Sequence, residues 1–148
     1  MKKMLLLLFI TLIFIPAFNI SAITIDDLSN STRYERINED MTNNLYIDNN
    51  SIQVIRYAPP YYIIQGDYIS HDFKTNTICV QTVKLFYDWE NKIAKMQFLH
   101  GTVYELDGSL LFNLPDKYDL ITLNKNRVGG WIADCFFFYC YRMYFYDV

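Results

Sequence analysis

Between Thr77 and Phe112 the chain alternates apolar and polar residues more regularly than anywhere else, and two turns interrupt the pattern. That combination restricts the stretch to three antiparallel strands. Thr77 to Asp88 (TICVQTVKLFYD) and Ile93 to Tyr104 (IAKMQFLHGTVY) are rich in β-branched and aromatic residues and flank Trp89-Glu90-Asn91-Lys92. With Glu90 and Asn91 at the loop tip, Leu85 faces Met96 and Val83 faces Phe98 on one surface, while Lys84 faces Gln97 and Phe86 faces Lys95 on the other. A slip of one residue mixes the two sets, so the pattern itself selects the register. The same register sets His100 opposite Gln81, on the surface of Met96 and Phe98. Asp107-Gly108 then separates Val103 to Leu106 from Ser109 to Phe112. This dipeptide tolerates the positive φ angles of a type I′ turn and predicts the second hairpin of a meander.

Ahead of this stretch lies a leader. Met1-Lys2-Lys3 is cationic, Met4 to Ile15 is almost unbroken apolar sequence, and Pro16 to Ala22 ends in small residues. This is the anatomy of a secretory signal peptide removed after Ala22, and no cysteine stands there for lipid attachment. The apolar run is shorter than the roughly 20 residues a spanning helix needs; an uncleaved anchor is the alternative reading. Cutting 22 residues from 148 leaves 126, enough for a single domain, residues 23–148, with a core that requires neither disulfide nor metal. Two lysines leave with the leader, so eleven basic residues oppose sixteen acidic ones, a net charge of −5. Nothing in that balance suggests nucleic acid or an anionic membrane surface, and no motif calls for a cofactor.

Reading on from residue 23, Ile23 to Ser31 is short and polar, with the composition of a flexible N-terminus. Arg33 to Asn38 suits a first strand. Leu45-Tyr46-Ile47 and Ile52 to Ile55 flank Asp48-Asn49-Asn50-Ser51, whose side chains bond back to the backbone and favour a tight turn, so a further hairpin is expected. Ala58-Pro59-Pro60 lacks two amide donors and reads as a break in pairing before the strand Tyr61 to Phe73. In that strand Gly66 marks a bulge or a close approach. A tight turn at Thr75-Asn76 sets Asp67 opposite Lys84. Tyr118 to Leu123 reads as a short strand or a packed loop.

The C-terminal block, Gly129 to Tyr146 (GGWIADCFFFYCYRMYFY), supports two readings. As a helix capped near Asn126 it sets Ile132, Phe136, Tyr139, Cys140 and Met143 on one face, with Asp134, Tyr141 and Arg142 on the other. As a strand it gives one wholly apolar face, and its Phe and Tyr content prefers that state. Its length without a turn signal favours the helix. The predicted architecture is therefore α+β: an antiparallel β-meander sheet with a C-terminal helix packed on one face. Asp134 and Arg142 make the block a poor membrane segment.

Three cysteines, Cys79, Cys135 and Cys140, fit no zinc spacing, and no metal site is expected. They are three structural thiols, or one disulfide, of which Cys79 with Cys140 is the best-placed pair, plus a free thiol; a reactive thiol is the third alternative. His71 and Asp72 are neighbours in a strand and point to opposite faces, so they cannot form a catalytic pair. No nucleophile elbow, glycine-rich phosphate loop or convergent pair of acids is present, and no catalytic residue is assigned. Tyr57, Tyr61, Tyr62 and Tyr68 gather around the double proline and offer stiff contact area with polar tips, the best candidate for a ligand- or partner-binding surface.

The leader, the segment Tyr46-Ile47-Asp48-Asn49-Asn50-Ser51-Ile52, the meander and the aromatic C-terminal block together resemble small exported bacterial proteins grouped loosely with the surface-adhesin protein E family. The likeness spans about residues 45–112 and the C-terminal helix. It implies a periplasmic, cell-surface or secreted location and a binding or adhesion role toward a protein or envelope component, with no catalytic residues to carry over. The chain departs from the family in lacking a basic binding stretch. A small secreted hydrolase, and a structural or inhibitory subunit of an envelope complex, are the alternatives.

Overall fold

A computed structural model describes residues 22–39, 41–116 and 119–146; the leader expected over residues 1–22 lies outside them save for Ala22. The chain is α+β. Helix α1 (Ile25–Asn30) precedes strands β1 (Tyr34–Glu39), β2 (Asn43–Asp48), β3 (Gln53–Ala58), β4 (Tyr61–Asp72), β5 (Thr77–Asp88), β6 (Ile93–Glu105), β7 (Leu110–Leu114) and β8 (Leu120–Thr122), and helix α2 (Val128–Tyr141) closes the chain. All eight strands form one open antiparallel sheet, in the order β1-β2-β4-β5-β6-β7, with β3 also on β4 and β8 also on β6. The predicted register of the central hairpin is present: Leu85 pairs with Met96, Val83 with Phe98, Lys84 with Gln97 and Phe86 with Lys95.

The two faces of this sheet are buried at opposite ends. Along β5, Val83, Leu85 and Tyr87 point to the face that α2 covers, where Ile64, Met96, Phe136, Phe137 and Phe145 complete the larger core. Ile78 points to the other face and joins Tyr46 and Ile69 beneath Ile23 and Leu28 of the N-terminal segment. Phe136, Phe137 and Phe145 are essentially sealed, each contributing about 1.5–3 kcal/mol of burial. Tyr87 ties sheet to helix by donating its hydroxyl to the Ala133 carbonyl at 2.8 Å. Gly66 is a point of close approach between helix and sheet: a Cβ there would lie 2.8 Å from Phe136 Cε2. Its pairing with Val83 is unbroken, so the glycine serves close approach and not a bulge on that side.

Several local readings are corrected. Residues 25–30 are helical because Thr24 and Asp27 form a reciprocal capping box and Leu28 is buried. Residues 45–55 are not a hairpin. Instead β2 and β3 follow one another along the same edge of β4, opposite Tyr68–Asp72 and Tyr61–Gln65 respectively. Asp48 and Ser51 do bond locally, as expected, yet they bend the strand and do not reverse it: Ser51 Oγ accepts the Asp67 amide at 2.7 Å across the gap. Pro59-Pro60, joined by a cis peptide bond, is no break but the turn between β3 and β4, with Ala58 paired to Tyr61. The β4–β5 loop is four residues long, held by the Asp72 carboxylate accepting from the amides of Lys74 and Thr75, so Asp67 faces Thr82 and not Lys84. At the β6–β7 turn only Gly108 takes a positive φ, of 89°, so the hairpin exists without a type I′ turn.

In α2 the buried face is Ile132, Ala133, Phe136 and Phe137. Tyr139 is only partly buried, and Met143 lies beyond the helix and is half exposed. The N-cap is Arg127, with no side-chain cap, in place of Asn126. Arg142 takes a left-handed conformation with φ 59° and ends the helix, its amide donating to the Phe138 carbonyl. The chain then turns back so that Phe145 re-enters the core.

Candidate functional site

The expected tyrosine cluster is divided. Tyr57 and Tyr61 flank the β3–β4 turn and are 66% and 52% exposed. Tyr62 is half-buried, packing edge-on to Tyr57 and against Phe137 and Tyr141. Tyr68 stands apart, further along β4, where its hydroxyl donates to Gln81 Oε1 and burial raises its pKa. The exposed aromatics are thus split between the two faces: Tyr57 is paired with Tyr62 and shares its face, while Tyr61, the strand neighbour of Tyr62, points to the other, beside an edge strand whose residues from Gln53 to Tyr57 are all exposed.

A larger exposed apolar surface lies on the opposite edge. Leu110, Leu111 and Phe112 of β7 are each at least 42% exposed, and Leu120 and Ile121 of β8 continue the same edge. Among the described residues no strand pairs with the outer side of β7. That strand bears no charge, whereas β1 carries Glu35, Arg36 and Glu39, and β3 carries Arg56. Charges are the usual guard on an open edge, and β7 has none.

One feature that pattern reading missed changes the position of His100. An extra residue, Leu99, bulges β6 between the pairs Val83–Phe98 and Thr82–His100. The bulge turns His100 away from Met96 and Phe98 and onto the other face, opposite Thr82 instead of Gln81. There the Thr82 hydroxyl donates to Asp67 Oδ1 at 2.5 Å and lies 3.0 Å from His100 Nε2. The polar row continues through Ser51 to Asp48, which accepts two bonds from the Arg33 guanidinium at 2.8 and 2.5 Å. Arg33, Tyr34, Asp48 and Asp67 line a small cavity of about 100 Å³. Burial raises the Asp67 pKa; the Thr82 bond opposes that rise, and the charge of Asp48 adds to it. Gly101, an isolated glycine inside a strand pattern, was the one available signal for the bulge.

Chemically the row is a hydrogen-bonded brace across β2, β4, β5 and β6. Thr82 is 8% exposed and already gives its proton to Asp67, so its oxygen is not presented to a substrate. On the other face, the missing side chain of Gly101 admits Leu114, whose Cδ1 would sit 2.8 Å from a Cβ there. Phe98, Gly101, Leu114, Pro115 and Gln81 border an open groove of about 360 Å³.

Cys79, Cys135 and Cys140 are all free, so the alternative of a Cys79–Cys140 bridge is not the one adopted. Burial pushes Cys135 and Cys140 up to about 11, and Cys79 upward too, against the Gln81 amide bonded to its sulfur. These are poor nucleophiles. Among the described residues no three His, Cys, Asp or Glu side chains come together as metal ligands, and no helix is long and apolar enough to cross a membrane. No family model, curated protein or solved structure matches the chain.

Proposed function

We propose that this chain is an exported, cell-envelope or surface-associated binding protein of adhesin-like character, which works by contact and not by catalysis. The observation that carries this reading is the outer edge of β7: Leu110, Leu111 and Phe112 exposed on an uncharged strand whose outer side has no partner strand among the described residues. A partner strand adding there gains main-chain hydrogen bonds and apolar contact together. The exposed edge strand β3, with Tyr57 on one face of the sheet and Tyr61 beside it on the other, supplies a second contact region. Export is supported by the leader at residues 1–22, and the adhesin character by the resemblance to the surface-adhesin protein E family. The partner is a protein or other envelope component, in keeping with an acidic chain that has no basic stretch for nucleic acid.

The hydrolase alternative draws on the line from His100 through Thr82 to Asp67, but the buried hydroxyl donates its proton to the acid and leaves no accessible nucleophile. The test is retention from a native envelope fraction on the immobilised chain. Phe112→Glu places a charge on the open edge and is expected to abolish retention, while Tyr57→Ser with Tyr61→Ser weakens it. Retention unaffected by either change contradicts the proposal. Capture of a defined multi-subunit assembly in fixed ratio favours the envelope-subunit alternative.

A further inference from the structure

Helix α2 buries one face and leaves the other uncovered. At about 100° per residue, the line opposite Ile132, Ala133, Phe136 and Phe137 runs from Arg127 through Trp131 and Phe138 to Arg142. Trp131 is 43% exposed and Phe138 36%, although the outward line of a surface helix ordinarily carries polar residues. Val128, Met143 and Tyr144 widen the apolar area, and the Tyr144 ring stacks on Phe138 at 4.9 Å. The two arginines bound this area at the ends of the helix. The Arg142 guanidinium carbon lies 6.0 Å from the Phe138 ring centre and 5.8 Å from that of Tyr139. Lys125 adds a third exposed base just before Arg127. Among the described residues, none of these three bases forms an ion pair. Asp134 is the one acid within the helix, and it is turned to the Phe145 and Tyr146 amides. Glu35 of β1 lies within electrostatic reach of Cys135, on the β1 flank of the helix.

We infer that the outer face of α2 rests on the surface of an anionic phospholipid bilayer, with Trp131, Phe138 and Tyr144 inserted at the headgroup boundary. Charge and shape select this occupant. The acidic balance of the whole chain conceals a local excess: between Leu123 and Tyr146 three bases stand against Asp134 alone. Arginines at both ends of an aromatic line can pair with lipid phosphates while the rings enter the apolar layer between them. Tryptophan and tyrosine carry an apolar body with a polar tip, which suits them to that boundary. A second copy of the chain fits less well. Antiparallel pairing along this line brings Arg127 of one copy to Arg142 of the other, and parallel pairing sets each arginine against its equal. Anionic headgroups meet all three bases without such repulsion, at about 1 kcal/mol for each base near the surface. The helix has 14 residues, about 21 Å, against a hydrocarbon core of about 30 Å, so it lies along the surface and does not cross.

The chain has two tryptophans, which makes the test direct. Trp89 is stacked on Phe137 of the core at 5.3 Å, so Trp131 is the reporter of the outer face. Residues 1–22 contain no tryptophan, and the apolar leader is therefore silent in this readout. Full-length protein is titrated with vesicles of phosphatidylcholine alone and of phosphatidylcholine mixed equally with phosphatidylglycerol, while tryptophan emission is recorded. The mixed vesicles are expected to move the emission saturably to shorter wavelength, and brominated acyl chains to quench it. Phosphatidylcholine alone should give a much weaker response. Trp131→Phe should remove the shift and leave the emission of Trp89 as it was. Arg127→Glu with Arg142→Glu, both at exposed positions, should weaken association about tenfold or more, with circular dichroism confirming the fold. Raised salt should weaken it too. The wild-type titration decides without any variant. Trp131 emission that ignores the mixed vesicles, even where the leader carries the protein onto them, overturns the inference, and so does an equal response to both vesicle types. A shift that grows with protein concentration without lipid assigns the face to a second copy and overturns it as well. Because this face is distinct from β7, its failure leaves the edge-contact proposal standing.

Discussion

The carboxylate of Asp134, in the middle of α2, accepts the backbone amide of Phe145 at 2.8 Å and that of Tyr146 at 3.0 Å. An acidic residue inside an aromatic helix is thus the fastening that returns the tail to the core. Lys92, in the β5–β6 turn, completes the anchorage by donating to the Phe145 carbonyl at 3.0 Å. Asp134→Ala leaves two amides without their acceptor and is expected to cost about 2–3 kcal/mol in urea denaturation. Asp134→Asn keeps an acceptor and should cost less. Equal losses in the two variants contradict this role.

Gly66 sets how closely α2 approaches the sheet. A methyl group there meets Phe136 at 2.8 Å and Ile52 at 3.2 Å, and Phe136 is sealed in the core with little freedom to move. Gly66→Ala should therefore destabilise the protein by about 1–3 kcal/mol. A neutral or stabilising outcome would mean that helix and sheet are less tightly apposed.

Asp67 makes stability depend on pH in a definite direction. Its folded pKa is raised, so ionisation penalises the folded state; the penalty is absent below the unfolded value of about 3.9 and complete above the folded value. Asp67→Asn retains an acceptor for Thr82 and removes that penalty. Its stability relative to wild type should therefore improve as pH rises from about 4 to 7. A relative stability that falls over this interval reverses the sign and excludes burial as the dominant influence.

The thiols offer a chemical check on the helix. With Cys135 and Cys140 pushed up to about 11 by burial, labelling by a disulfide reagent at pH 8 should be roughly a hundredfold slower than for an ordinary exposed thiol. In denaturant all three cysteines should react. One reactive thiol in denaturant instead of three would reveal a bridge.

How far the sequence could be read depended on whether a signal was periodic or local. Pairing of Val83 with Phe98 and Leu85 with Met96 was legible because a two-residue period over a dozen positions tolerates only one register. Leu99 breaks that period once, and every residue after it changes face, which is how His100 came to join Asp67 and Thr82. The Asp48–Ser51 segment has the composition of a tight turn and also of a bent strand, since both use the same side-chain bonds to backbone. Helix α1 has a capping box, Thr24 with Asp27, but only one turn and a half follows, too short for an apolar period to appear. The exposed run on β7 was visible as sequence but not as an edge, because which strand ends a sheet depends on where the later segments go.

The account rests on β7 as a contact edge, and hydrogen exchange at the amides of Leu110 to Leu114 tests it most directly. Exchange is measured on the free chain and on the chain loaded with whatever an envelope fraction supplies. Added strand pairing predicts that these amides slow on loading, together with the side of β6 that supports them. Unchanged exchange along β7, with protection appearing only around Thr82 and His100, would contradict contact at the edge and place the working surface at the buried polar row.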